Sequence, residues 1–337
     1  MGKKTLAKID NIVGRINTHP EYSACVSRHF LAQMRQEAYS HSSSIELESD
    51  EVKGRRDIDN LKRTYVGNLE AGRNYLAQES ISLTTIDGLV RVVEPSAKSK
   101  GIRKEAIKFG SFYGVDPEKL YSEVDNLVFK INNGSSIHPV DRASLTHLEM
   151  IRIHPYSDGN GRSARLLQNF CLEQRGYPPA IIDAGEREVY IGILNSVWSE
   201  LMNNGETSAW SELMNNRETG NSSNRSIILF NNYIESKVLE SAERLEEELQ
   251  QNRIYEVTFS KVRNFGAIKS IVANLKSAES KRGKAVQANH INRNGKSVNL
   301  KVCGDLSARE LKNVIETFGK KFGVSFSVKS IPECWDN

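Results

Sequence analysis

The sequence predicts a mainly α-helical protein that ends in a small α+β unit, and three observations carry that expectation. Over roughly the first 200 residues apolar side chains recur every three or four positions, the spacing that gives a helix one buried face. After residue 251 the pattern changes to short alternating runs bounded by turn residues, which is strand spacing. With 337 residues, 26% charged side chains and a formal charge of +4, the chain can bury one sizeable core and a smaller second one.

Taken in order, helical spacing is read first at Phe30 to Tyr39 and then across a charged segment from Arg56 to Ala77. Leu145, Leu148 and Ile151 form one apolar stripe, and Ala164, Leu167, Phe170 and Cys171 form another, so two helices flank the run between them. These elements make a core over 1–203. The segment Trp198 to Ala209 is then followed by a near copy, Trp210 to Asn221. Two copies are too few for a solenoid, which leaves a local duplication at a tolerant domain edge, running into a Gly/Asn/Ser linker at 220–224. Ile234, Val238, Ala242, Leu245 and Leu249 mark one face of a helix rich in Glu on the other. That face is expected to pack within the chain or, as the alternative, on a second copy in a homodimer. The stretch 204–250 therefore reads as duplication, linker and amphipathic helix.

The last part, 251–337, alternates as strands at Tyr255 to Ser260, Lys284 to Ile291, Ser297 to Val302 and Val324 to Ile331, with an Asn294-Gly295 turn between the middle two. Helical spacing at Ala267 to Leu275 and Ala308 to Phe318 completes the order βαββαβ, which suggests a ferredoxin-like unit. Between Lys261 and Lys301 ten Lys and Arg face one acidic residue, Glu279. Such a basic stretch suits an acidic protein surface, simple solubility or nucleic acid. Its strands lack stacking aromatics, so nucleic acid is the least favoured of the three.

The most informative run is His154-Pro155-Tyr156-Ser157-Asp158-Gly159-Asn160-Gly161-Arg162-Ser163-Ala164-Arg165. Gly159 and Gly161 around Asn160 allow positive φ, which turns successive N–H groups toward one point and makes an anion nest. A helix starting at the glycines would bring its positive N-terminal end to the same point. Arg162 and Arg165, three apart, fall on neighbouring positions of that helix and can grip different phosphate oxygens. Asp158 stands beside the nest as a single carboxylate, the usual protein ligand for Mg²⁺ on a nucleotide. His154 titrates near neutrality and can accept a proton from an attacking hydroxyl. Singly, a Gly-Asn-Gly is most often a turn, two helical arginines a solvated face, and His-Pro a helix end. A structural turn has no use for all of them at once.

At these residues the chain resembles the Fic family, whose motif is His-x-Phe-x-Asp/Glu-Gly-Asn-Gly-Arg-x-x-Arg, with Tyr156 in place of the usual Phe. The resemblance runs upstream through His147, Met150 and Ile153 and downstream to about Pro179. It implies a Fic-type helical catalytic core with a β-hairpin flap, and a protein adenylyltransferase that moves AMP from ATP to a Ser, Thr or Tyr hydroxyl of a target protein. By the same resemblance His154 is the base, Asp158 holds Mg²⁺ on the α- and β-phosphates, and Gly159, Asn160 and Gly161 cradle the phosphates. Arg162 and Arg165 bind their β/γ end. Removing His154 is expected to abolish transfer and spare ATP binding.

Ser42-Ser43-Ser44-Ile45-Glu46-Leu47 resembles the family's inhibitory motif, Ser/Thr-x-x-x-Glu-Gly/Asn, with Leu47 replacing the last residue. The resemblance implies an inhibitory helix over about 38–50 in which Ser42 and Glu46 set the Glu against Arg165. The plain alternative is a helix start, since Ser caps and Glu suits a first turn. The family's flap, which pairs with an extended target segment, corresponds to 102–112, with Ile107, Lys108 and Phe109 as docking residues; an ordinary hairpin is the alternative. Two other functions stand beside AMP transfer. One is removal of AMP from a modified protein, with Glu46 positioning a water, and the other is a nucleotide-sensing regulatory protein whose C-terminal domain carries the function.

Cys25, Cys171, Cys303 and Cys334 are too scattered for a zinc pattern or a disulfide framework, so a reducing, cytoplasmic setting is expected. Met1-Gly2-Lys3-Lys4 leads into no apolar run and no stretch is long and apolar enough for a membrane, so no membrane association is expected. The expected partners are a protein target and, by self-modification, the chain itself.

Overall fold

The computed structural model describes residues 2–18, 20–48, 57–95, 101–109, 112–203, 209–210, 225–251, 253–260, 262, 266, 268–270, 272–273, 286–294, 297–304, 308–322 and 325–330. The linker at 220–224, the second repeat beyond Trp210, the Gly295 half of the turn, positions 110–111 of the expected flap and positions 267, 271, 274 and 275 of the expected 267–275 helix lie outside them, while 268–270 and 272–273 are helical as expected. The chain divides into two compact units, one of residues 1–13 and 33–242 and one of 14–32 and 243–337.

Helices build the first unit. They are α1 (Gly2–Asn17), α2 (Pro20–Leu47), α3 (Ile58–Leu76), α4 (Leu83–Val93), α5 (Leu120–Asn133), α6 (Pro139–Ile153), α7 (Asn160–Glu173), α8 (Arg187–Asn203) and α9 (Arg225–Gln251), with α1, α2 and α9 running on into the second unit. Short polar side chains start several of them. Asp57 accepts from the Asn60 N–H at 3.3 Å and Ser82 from the Thr85 N–H at 3.1 Å, each satisfying an amide that lacks a helical partner. Pro139 opens α6, where its missing N–H costs nothing, and His138 Nδ1 takes the Val140 N–H at 3.2 Å.

Helix α6 is the centre. Every residue from Val140 to Ile151 is buried, so this helix has no solvent face, and α5 and α7 pack directly against it. Several of its buried polar groups are partnered: Ser144 donates to Asn231, Thr146 to the Arg142 carbonyl, and Glu149 accepts from Arg152 and from the Trp210 N–H. Ala209 and Trp210, where the first copy of the duplicated segment ends and the second begins, are core residues. Of the apolar face expected on α9, Ile234, Val238, Ala242 and Leu245 are buried, the first two in this same core, and the side chain of Leu249 lies outside the description.

Ser42 and Glu46 fall in the last turns of α2, which corrects the helix-start reading of the serine run. Ser43 instead donates back to the Tyr39 carbonyl at 2.7 Å, a bond made within a continuing helix. The region expected as a flap is a two-stranded antiparallel hairpin, β1 (Lys108–Phe109) with β2 (Phe112–Tyr113), Lys108 facing Tyr113.

The second unit carries β3 (Arg253–Ser260), β4 (Val286–Asn294), β5 (Ser297–Gly304), α10 (Ala308–Phe322) and β6 (Ser325–Ser330). The sheet is antiparallel in the order β4-β5-β3-β6. Period-two alternation puts Tyr255, Val257 and Phe259 on one face with Val298, Leu300 and Val302, and Leu311 and Ile315 of α10 join that cluster. Among the described residues no helix is long and apolar enough to cross a membrane.

Candidate active site

The site grows from the corner between α6 and α7. His154 ends α6 with φ 48 and ψ 57, the left-handed conformation, while its N–H still reaches the Met150 carbonyl at 3.1 Å. It is the one non-glycine with positive φ among the described residues, a position that costs a branched-at-Cβ residue dearly and a histidine less. Pro155 cannot continue the helix, so the chain turns. Tyr156 then plunges into the core, 0% exposed, and its hydroxyl donates to Asp87 at 3.1 Å. That is the partner a Tyr needs where the resemblance expects Phe.

Asn160 locks the turn. Its Oδ1 accepts from the Tyr156 N–H at 3.1 Å and its Nδ2 donates to the Tyr156 carbonyl at 2.8 Å, so the side chain is spent on the loop and only its backbone faces a ligand. Gly159 sits at φ 81, and a Cβ there would fall 2.7 Å from the Cβ of Glu94. No other residue fits. Helix α7 begins immediately after it with no side-chain cap, which leaves first-turn amides pointing out of a fourteen-residue helix as an anion site.

The carboxylates and guanidiniums interlock. Asp158 Oδ1 accepts from the Gly159 N–H at 2.5 Å and from Arg162 Nη2 at 3.3 Å, and its side chain is 53% exposed. Arg162 is fully buried, stacked 4.0 Å over the Tyr65 ring, and donates to Glu94 at 2.9 Å. Its Nε and Nη1 have no hydrogen-bond partner, the nearest carboxylate being Glu46 Oε2 at 3.8 Å from Nε. Arg165 donates to the Ser42 hydroxyl at 2.8 Å and the Ser42 carbonyl at 3.1 Å, and lies 3.8 Å from the same Glu46 oxygen. Glu46 therefore stands between both arginines, and Ser42, not Glu46, makes the hydrogen bonds to Arg165.

His154 Nδ1 lies 3.2 Å from the Ile151 carbonyl. A carbonyl only accepts, so Nδ1 carries the proton and Nε2 the lone pair. Burial, with the Arg103 charge adding to it, pushes the imidazole down to about 4. His147 is neutral for the same reason, held at about 3 by burial and by Arg165, between Gln168 (2.7 Å) and the Tyr190 hydroxyl (2.9 Å).

These groups line a cleft of about 470 Å³. His154, Asp158, Gly159, Asn160, Gly161, Arg165 and Glu46 are in its wall, as are Ile107 and Lys108 of the hairpin; Arg162 backs the wall from inside. Phe109 sits one residue on, paired with Phe112. Sequence reasoning missed Tyr65, Glu94, Arg187 and Tyr190, whose sequence neighbourhoods carry no motif. Trp198, which opens the duplication, also lines the cleft. Among the described residues no cluster of three or more His, Cys, Asp and Glu could cage a metal. A single half-exposed carboxylate beside an anion nest does fit Mg²⁺ brought in with a nucleotide, since that ion keeps waters and phosphate oxygens as its other ligands.

Comparison with known proteins agrees with the geometry. Residues 82–172 match the Fic/DOC family. A protein adenylyltransferase fic-1 of Caenorhabditis elegans is 35% identical over 96 residues, 28% of this chain and 19% of that protein. A protein adenylyltransferase Fic of Drosophila virilis is 48% identical over 62 residues, 18% of this chain and 13% of that one. The matched stretch thus spans about a fifth or less of these relatives. A Fic-domain signaling protein of Bacteroides thetaiotaomicron has the same fold, with a TM-score of 0.56 over 73% of this chain and 98% of its own, at 22% identity.

Proposed function

Since residues 82–172 form a Fic/DOC-family domain, we propose that this protein transfers AMP from ATP to a hydroxyl of a protein substrate, and that Glu46 holds it in an inhibited state. The observation that carries the reading is the neutral His154, its Nδ1 on the Ile151 carbonyl, in the wall of the cleft that also holds the uncapped start of α7 and Arg165.

In that reaction the target hydroxyl oxygen bonds to the α-phosphorus, the bond from that phosphorus to pyrophosphate breaks, and the hydroxyl proton passes to His154 Nε2. Positioning and charge neutralisation supply most of the acceleration, as in other phosphoryl transfers. The α7 amides hold phosphate oxygens, Arg165 takes the β/γ end, and Arg162 keeps the turn charged from behind. Asp158 would hold Mg²⁺, which when bound neutralises charge on the α- and β-phosphates. The hairpin at 108–113 offers main-chain edges to an extended target segment.

Glu46 sits where a γ-phosphate would meet Arg165. A carboxylate near the C-terminal end of a helix is electrostatically misplaced, and the two arginines at 3.8 Å are what compensate it in α2. Incubation of the Glu46→Gly variant with α-labelled and, separately, γ-labelled ATP tests the reading. Label from the α position alone, dependent on Mg²⁺ and lost on chelation, is the expected result. Nucleotide binding without covalent label from either position would refute transfer and favour a sensor, and release of AMP from a modified protein would point to the reverse reaction.

A further inference from the structure

Outside the motif, one buried charge joins the hairpin to the corner that carries His154. Arg103 is 8% exposed and its acceptors are all main-chain carbonyls. Nε donates to His154 O at 2.7 Å, Nη1 to Glu105 O at 2.7 Å, and Nη2 to Val115 O at 2.5 Å and Ile153 O at 3.3 Å. Its own N–H donates to Pro155 O at 2.9 Å. Glu105 and Val115 are the two feet of the hairpin, and Gly114 closes it by donating to Ile107 O at 3.0 Å. Ile153, His154 and Pro155 are the corner that holds the base in its left-handed conformation.

We propose that Arg103 is a positioning residue that clamps the target-docking hairpin to the catalytic corner, fixing His154 relative to the substrate hydroxyl. This rests on the AMP-transfer reading. Only a planar guanidinium can span three chain segments with donors in fixed directions; an ammonium is a point donor and cannot. Gly114 shows how tightly the clamp is drawn, because a Cβ there would meet Arg103 Nη2 at 2.6 Å and His154 Cβ at 3.1 Å. A left-handed non-glycine persists where its surroundings over-determine it, and these bonds supply that constraint.

Charge gives a second readout. The Arg103 charge adds to burial in holding the His154 imidazole down, and the other charged groups in the cleft wall are Glu46, Lys108, Asp158, Arg165 and Arg187. Arg103→Gln removes geometry and charge, whereas Arg103→Lys keeps the charge and loses the fork. Gly114→Ala keeps Arg103 itself and disturbs the clamp by pressing a Cβ against its Nη2 and against His154 Cβ.

The experiment uses the full chain in the Glu46→Gly background, reading label transfer, ATP affinity and the His154 imidazole titration by NMR, assigned with His154→Ala. Expected are rate losses of about 10- to 100-fold in all three variants with ATP affinity within about threefold. His154 should titrate higher in Arg103→Gln and return to its parent value in Arg103→Lys. Unchanged His154 titration in Arg103→Gln, or full activity in Arg103→Lys, overturns the clamp. Loss of ATP binding alongside rate would make Arg103 a general structural residue and overturn it as well. If the parent itself transfers no label, the function fails, and the titration still decides whether Arg103 governs His154.

Discussion

The corner at 154–165 and the last turns of α2 line one cleft but are held by different means. Within the corner, the turn at 156–160 is fastened mostly by itself: Asn160 bonds both backbone groups of Tyr156, Asp158 bonds Gly159, and Tyr156 is buried. The turn at 42–47 is fastened by side chains more than a hundred residues away, through Ser42 to Arg165 and two ion contacts at 3.8 Å from a Glu46 side chain that is 26% exposed. Self-fastened geometry survives the loss of a neighbour. The turn at 42–47 depends instead on its distant partners, and at 3.8 Å Glu46 contacts both arginines beyond hydrogen-bond distance, which suits the releasable role proposed for it.

Substitutions can break this contrast at either end. The largest effect is expected from His154→Ala in the Glu46→Gly background: a loss of about 10²- to 10⁴-fold in labelling rate with ATP affinity within about threefold, checked by radiolabel and calorimetry. Retained labelling would show that another group is the base. Next comes Asn160→Ala, which leaves the Tyr156 N–H and carbonyl unpaired in the core and should cost about 2–4 kcal/mol in urea unfolding, with the rate falling in step. A stable, active Asn160→Ala protein would mean that the corner is not self-fastened.

A smaller effect sharpens the other side. Ser42→Ala removes one hydrogen bond to Arg165 and leaves Glu46, so it should raise labelling several-fold, well short of Glu46→Gly; equal activation by the two would assign inhibition to the serine.

Acid stability probes the buried histidines. His147 and His154, at about 3 and about 4 in the native state against an unfolded 6.5, bind fewer protons than the unfolded chain between those values. Stability therefore rises with pH through that window and is lost below 6.5, by about 1.4 kcal/mol per pH unit for each group fully in transition. His147→Gln should flatten the slope of urea stability against pH; an unchanged slope would show that His147 is not buried neutral. The smallest effect is expected from Tyr156→Phe, about 1 kcal/mol or less in stability and no change in rate, because Asp87 keeps Arg91 at 2.6 Å.

What the sequence made legible follows the same division. The corner is legible because its chemistry is local, with nest, carboxylate and arginines within twelve residues of one another. Helices α6 and α7 are legible from their stripes. Glu94 and Arg103 are not, since Arg162 lies 68 residues from Glu94 and the partners of Arg103 are backbone carbonyls, which carry no sequence identity. The serine run was read with its helix-start alternative because Ser and Glu favour a first turn, and tertiary contact with the arginines overrode that local preference. The duplication reads as an edge in sequence, yet both of its tryptophans are buried.

The most direct test of the central claim compares the wild type, Glu46→Gly and Glu46→Gly/His154→Ala by intact mass after incubation with ATP and Mg²⁺, alone and with lysate protein. The account predicts little modification by the wild type, a mass increase of one or more AMP groups on the chain or on an added protein with Glu46→Gly, and none with the double variant. Equal modification by the wild type and Glu46→Gly would contradict inhibition by Glu46, and modification that persists without His154 would contradict the catalytic assignment itself.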